Sequence, residues 1–191
     1  MLDEWGRHGC PADCGKPWSR DQIRAALRRG PHISAASPAG TKFLHDEVKD
    51  RVQSGYAKVV RWGDIKANIP PKLKLSPVAL VPHNSRMYRT ILDLSFRLRY
   101  KGGIIPSVNS STVKRAPAEA MVQLGQCFQR IIYTLAENYD PSKPFAFAKI
   151  DIKDGFWRMR VSEEDAWNFC YVLPPLDADQ PLDDREIVVP T

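Results

Sequence analysis

No run of apolar residues in the 191-residue chain approaches the roughly 20 needed to span a bilayer, so no membrane-crossing helix and no membrane partner are expected. The opening MLDEWGRHGC lacks both a basic n-region and an apolar h-region, which argues against a secretory leader. Cysteine is scarce. Cys10, Cys14, Cys127 and Cys170 are too scattered for a disulfide framework, and a reducing intracellular compartment, cytoplasmic or nuclear, is the expectation. The C-x-x-x-C spacing of Cys10 and Cys14, with His8 nearby, admits zinc. No second pair follows at zinc-finger distance, and a Pro/Gly-rich loop is the preferred reading. The chain also lacks internal repeats and a calcium-loop pattern.

What is present is more telling. Hydrophobic residues at 43% and charged residues at 26% are the balance of a globular protein able to bury a core. The net charge of +6 conceals an asymmetry. Residues 72–115 hold nine Lys or Arg against one acid, Asp93, whereas residues 162–191 hold eight acids against one base, Arg185. A basic middle fits a phosphate-rich partner, because sequence-independent nucleic-acid affinity comes from charge neutralisation and counterion release. A solvated basic surface is the plainer alternative. Lys72, Lys74, Arg86, Arg97, Arg99 and Lys101 are the candidate nucleic-acid contacts.

Local signals mark a mixture of helices and strands. WSRDQIRAALRRG, residues 18–30, carries a complete helix signal: Ser19 as N-cap, Gln22 closing a capping box, and Gly30 then Pro31 as the stop. Residues 42–54 predict a second helix, with Leu44, Val48 and Val52 on one face and a charged, surface-lying face opposite. YAKVVRW reads as a short strand and NIPPKLKLSP as an extended linker, since each proline restricts itself and its predecessor. PVALVPHNSRMYRTILDLSF reads as a hairpin over about 77–95. Tyr88, Thr90, Leu92 and Leu94 share one face of its return strand and Arg89, Ile91 and Asp93 the other. KGGIIPSVNSST is a loop. Residues 117–137 predict a long helix whose apolar stripe, Met121, Leu124, Phe128, Ile131 and Leu135, calls for a substantial packing partner. SEED caps a short turn over 163–168, and FCYVL and REIVV are strands joined by an acidic loop.

In FAFAKIDIKDGFWRMRV, residues 145–161, two aspartates interrupt a run that otherwise reads as a buried strand. A carboxylate without a partner in apolar surroundings is costly or is forced to protonate. Asp154 precedes Gly155, and Asp-Gly is turn chemistry. Asp151, inside KIDI, is not explained that way; a metal ion, or an ion pair with Lys149 or another base, would satisfy it. A carboxylate at a strand edge with the Ile152 carbonyl beside it suits Mg²⁺, and two-metal phosphoryl transfer needs such hard oxygen ligands.

KIDIKDGFWRMRVSEEDAWNFCYVLP resembles motif A of reverse transcriptases, in which a strand carries the first catalytic aspartate and an aromatic follows five residues later. PVALVPHNSRMYRTILDLS resembles the fingers hairpin of retrotransposon enzymes, and IIPSVNSSTVKRAPAEAMVQLGQCFQRI resembles the passage from fingers to a palm helix. The three follow the family's order. The resemblance implies an α+β fold, a partial right-hand polymerase of fingers plus upper palm, with an antiparallel palm sheet packed by helices on one face. Residues 1–41 are then an extension with one short helix, 42–116 the fingers-like region, and 117–191 a partial palm. The implied activity is RNA-directed DNA polymerisation, the addition of deoxynucleotides to a primer. The partners are an RNA or DNA template-primer and deoxynucleoside triphosphates, and the cofactor is Mg²⁺ or Mn²⁺ in the complete enzyme. Residue by residue, Asp151 matches the catalytic metal ligand, joined by the Ile152 backbone. Phe156 matches the aromatic that excludes a 2′-hydroxyl, and Arg89 the fingers arginine on the triphosphate. Lys153, Asp154 and Gly155 line the triphosphate turn, and Asp93 is a structural partner.

Two departures follow. The family's hairpin-tip lysine is replaced by His83 and Asn84, so either Arg86 compensates or triphosphate binding weakens. The second acidic motif, aromatic-x-Asp-Asp, does not occur. Asp183 and Asp184 are adjacent but lack the aromatic and lie in a proline-bearing loop. The reading is therefore of a polymerase fragment ending before motif B, with the rest of a polyprotein expected C-terminal. The alternatives are a non-catalytic nucleic-acid-binding remnant of a retroelement and an unrelated α+β protein with a buried structural Asp151. With one carboxylate strand the two-metal clamp is incomplete. Purified chain is expected to incorporate no nucleotide on a primed RNA template with Mg²⁺ or Mn²⁺; robust incorporation abolished by Asp151→Asn would overturn this.

Overall fold

Side-chain caps set the starts of the two longest helices that pack on the core. In the computed structural model, which describes residues 2–84, 86–113, 122, 125–143 and 155–191, α1 (Leu2–His8) is followed by α2 (Arg20–Arg29). The Ser19 hydroxyl accepts from the Gln22 N–H at 3.3 Å and the Gln22 side chain accepts from the Ser19 N–H at 2.8 Å, the expected capping box. A 3-10 turn, Ile33–Ala35, leads into α3 (Pro38–Gln53). Helix α3 starts earlier than residue 42 because Ser37 caps the Gly40 N–H and Pro38 fits the first turn. Residues 1–41 thus hold two helices and the start of a third, where one was expected.

The chain divides into two compact units, Met1–Val113 with Asp154–Thr191, and Lys114–Lys153. The first is α+β. Its central sheet runs β1 (Ala57–Arg61), β7 (Glu186–Pro190), β6 (Tyr171–Val172), all antiparallel, with β7 in the middle. Side chains alternate across β7. Ile187 and Val189 pack with Ile23, Ala26 and Leu27 of α2, Trp62 of α4 (Trp62–Ile65), Leu73, Leu75 and Val172. Val188 faces the other way, with Leu44 and Val48 of α3, Tyr171, Leu173, and Val78 and Leu80 of β2 (Val78–Pro82). The expectation of helices on one face is therefore corrected. Both faces are covered, which is why Ile187, Val188 and Val189 form an unbroken buried run.

The hairpin stands as expected: β2 pairs antiparallel with β3 (Tyr88–Leu92), and the inward residues of β3 are Tyr88, Thr90 and Leu92. NIPPKLKLSP is not a linker. Leu73 and Leu75 are core residues, the Lys74 and Ser76 amides donate to the Trp167 and Cys170 carbonyls at 3.0 Å each, and Leu75 forms a parallel bridge with Cys170. KGGII is also more ordered than the expected loop. β4 (Leu98–Tyr100) and β5 (Gly103–Ile105) pair across a two-residue turn with Lys101 at φ 47° and Gly102 at φ 74°, the left-handed pair that matches hairpin twist. Helix α5 (Val108–Ser111) follows, capped by Ser107.

In the second unit the described part of the predicted long helix is α6 (Cys127–Glu137), and none of its residues is buried. Phe128 is 79% and Ile132 65% exposed, and Met121 and Leu124 of the expected stripe lie outside the described residues.

A buried carboxylate ties three stretches of the first unit together. Asp165, in the 3-10 turn Asp165–Phe169, accepts from the Ala12 N–H at 3.1 Å, the Ser162 hydroxyl at 2.6 Å and the Lys72 ammonium at 2.8 Å. Burial pushes its pKa up, and these three donors outweigh burial, holding it below the ordinary value. An Asp with a depressed folded-state pKa contributes stability that is present above its unfolded pKa of about 3.9 and is lost as pH falls through the folded value. Urea unfolding of the wild type is expected to weaken through that acid window. Asp165→Asn should be less stable at pH 7 with a flatter pH profile; parallel profiles would refute this role.

Candidate active site

Asp151, Ile152, Lys153 and Asp154 lie outside the described residues. Gly155 opens a 3-10 turn, Gly155–Arg158, which contains Phe156. The Trp157 ring packs edge-on against Tyr171, centroids 6.2 Å apart, and the Arg51 guanidinium lies 4.0 Å from the Trp157 ring centre. Arg51 is only 7% exposed. It donates to the Tyr171 hydroxyl at 3.2 Å and pairs with Glu47, one turn back on α3, at 3.0 Å. Glu47 in turn accepts a hydrogen bond from the Thr90 hydroxyl. Burial, only partly offset by Arg51, pushes the Tyr171 phenol up to about 12. The supposedly surface-lying charged face of α3 therefore has a buried stretch.

Thr90 is the neighbour of Arg89. Alternation along β3 turns Thr90 inward to Glu47 and Tyr88 onto Phe43, rings 5.4 Å apart, and leaves Arg89 exposed opposite Val81. Arg86, His83 and Asn84 at the tip are exposed. Asp93 closes the hairpin base: its N–H donates to the Pro77 carbonyl at 2.9 Å and its carboxylate accepts from the Ser95 N–H at 3.0 Å. One network, centred on the buried Arg51, thus holds the strand of Arg89 and the turn containing Gly155 and Phe156.

The basic candidates separate into two groups. Arg86, Arg97, Arg99 and Lys101 are exposed, and Lys101 also meets Asp21 at 3.2 Å. Lys74 is corrected: it is 1% exposed, its ammonium donates to the Cys14 carbonyl, and burial lowers its pKa. The core residues Leu73 and Leu75 on either side carry it inside. Lys72 is occupied as well, bridging Glu164 at 3.0 Å and Asp165 at 2.8 Å. The adjacent acids of the C-terminal loop lie in a 3-10 turn, Leu182–Asp184, where Asp183 pairs with Lys66. Among the described residues no three His, Cys, Asp or Glu side chains are grouped to hold a metal ion. Cys14 is buried, and its thiol accepts from the Thr112 hydroxyl at 3.6 Å.

Comparison with known family models, curated proteins and solved structures gave no match.

Arg51 and Glu47 carry no motif. The available signal is their i,i+4 spacing beside the apolar Leu44 and Val48, with aromatic partners far away in sequence. Arg51→Met should destabilise by about 3–5 kcal/mol, because Glu47 is left half-buried without its cation. In urea unfolding, Glu47→Gln with Arg51→Met should recover about 1–2 kcal/mol of that loss. Strict additivity would refute the coupling.

Proposed function

We propose that this chain is the fingers and upper-palm part of an RNA-directed DNA polymerase, which binds template-primer and an incoming deoxynucleoside triphosphate and contributes one catalytic carboxylate, Asp151. The observation that supports this most is the Thr90–Glu47–Arg51–Trp157 network. It ties the strand that carries the proposed triphosphate arginine to the turn that carries the proposed sugar-gate aromatic. Arg89 is exposed and its guanidinium suits phosphate oxygens, while Arg86 offers a second charge where the tip lacks lysine. Lys153, Asp154 and Gly155 would meet the triphosphate through backbone groups. Asp151 and the Ile152 carbonyl are hard oxygen donors of the kind Mg²⁺ takes, and bound Mg²⁺ would neutralise triphosphate charge. The aromatic-x-Asp-Asp motif is not in these 191 residues, so nucleotide binding rather than turnover is the property to measure. The exposed Arg86, Arg97, Arg99 and Lys101 supply a template-primer surface whose affinity falls with salt.

Fluorescent deoxynucleoside triphosphate should bind the wild-type chain, and Arg89→Ala should weaken binding about tenfold or more without altering unfolding, since removal of a charge-assisted contact costs about 1.5–3 kcal/mol. Equal binding by both proteins, or no binding at millimolar nucleotide, would sink the proposal. Primed-template binding without nucleotide binding would favour the non-catalytic remnant.

A further inference from the structure

Residues 9–15 bond to two stretches of the first unit that are far apart in sequence, 111–113 and 160–165. The polypeptide leaves the first unit at Val113 and belongs to it again from Asp154. On the outgoing side the Val113 N–H donates to the Asp13 carbonyl at 2.9 Å, and the Thr112 hydroxyl donates to the Cys14 thiol at 3.6 Å. Gly15 lies so close that a Cβ there would stand 3.0 Å from the Ser111 carbonyl oxygen. On the returning side the Cys10 N–H donates to the Arg160 carbonyl at 2.8 Å, the Ser162 N–H donates to the Cys10 carbonyl at 3.0 Å, and Asp165 accepts from the Ala12 N–H at 3.1 Å. Lys74 holds the middle through the Cys14 carbonyl. Gly9 permits the approach: its φ is +82°, and a Cβ would fall 2.4 Å from the Val161 carbonyl carbon.

We infer that residues 9–15 are a clasp, a strap that fastens two stems, residues 111–113 and 160–165, to one another within the first unit. The two stems share one short segment of backbone, so displacing that segment at one stem withdraws hydrogen bonds from the other. The inference is independent of the polymerase reading, and its test uses no substrate.

The test is amide hydrogen exchange on the full chain, wild type against Gly9→Val. The clasp predicts that Ser162 and Val113 both exchange faster by about tenfold or more, the scale of one or two lost backbone hydrogen bonds, while the amides of β7 keep their wild-type protection. Val113 is bonded to Asp13 rather than to Gly9, so its acceleration reports release of the whole strap. Acceleration of Ser162 alone would overturn the inference. Gly9→Ala, which adds only the clashing Cβ, is the second variant. Loss of β7 protection in both variants would also overturn it, because residues 9–15 would then be core rather than clasp.

Discussion

A guanidinium leaves water only where charge and hydrogen bonds replace the solvent, and Arg51 finds that replacement in pieces. Glu47 supplies the counter-charge from one turn away on the same helix, Tyr171 a hydroxyl from the central sheet, and Trp157 a ring face from the Gly155–Arg158 turn. Thr90 then fixes Glu47 from the hairpin. No two of Tyr171, Trp157 and Thr90 belong to one element, so the arrangement is satisfied only when helix, sheet, hairpin and turn are all in register. A buried ion pair of this sort adds little net stability against an apolar substitute, but an incomplete one is costly, and this penalises misplaced neighbours.

The same network explains how an exposed arginine can be held in place. Arg89 projects from a two-stranded hairpin, which alone would be marginal in water. Its inward neighbours Tyr88 and Thr90 are pinned to Phe43 and Glu47 of α3, so the outward side chain stands on a strand that the core immobilises. The rest of the basic segment does not share this property. Lys74 is buried and Lys72 is committed to acids, which leaves the exposed positive charge of this segment, among the described residues, on the two hairpins and the connection between them.

Much of the fold was legible because its signals are local. Ser19 and Gln22, the alternation of β3, and the apolar runs of β1, β6 and β7 need no distant partner to be read. What escaped depends on tertiary context. The uninterrupted Ile187-Val188-Val189 run is the mark of a strand covered on both faces, yet nothing nearby says what covers it. KLKL alternates as though its lysines faced water, whereas the Lys74 stem lies inside and its ammonium finds a carbonyl from residue 14. Three-residue β4 and β5 are too short for periodicity, and only their Lys-Gly turn marked them. At the candidate site the exposure of Arg89 follows from the strand pattern alone. The buried role of Arg51 does not, because Trp157 and Tyr171 lie more than a hundred residues further along the chain. The part assigned to Asp151 rests on motif resemblance.

The order of strands in the central sheet bears on how the chain reaches this state. β1 and β6 each pair with β7 and not with one another, and β1 pairs residues 57–61 with residues 186–190. Two of the three strands therefore have no sheet partner until the latest strand in the sequence arrives. Contacts across such separations carry a loop-closure cost before they return any stability, and they place this unit among slow-folding topologies. During synthesis the apolar face of β1 emerges from the ribosome well before β7 does, a window in which a chaperone, rather than the sheet, would have to cover it.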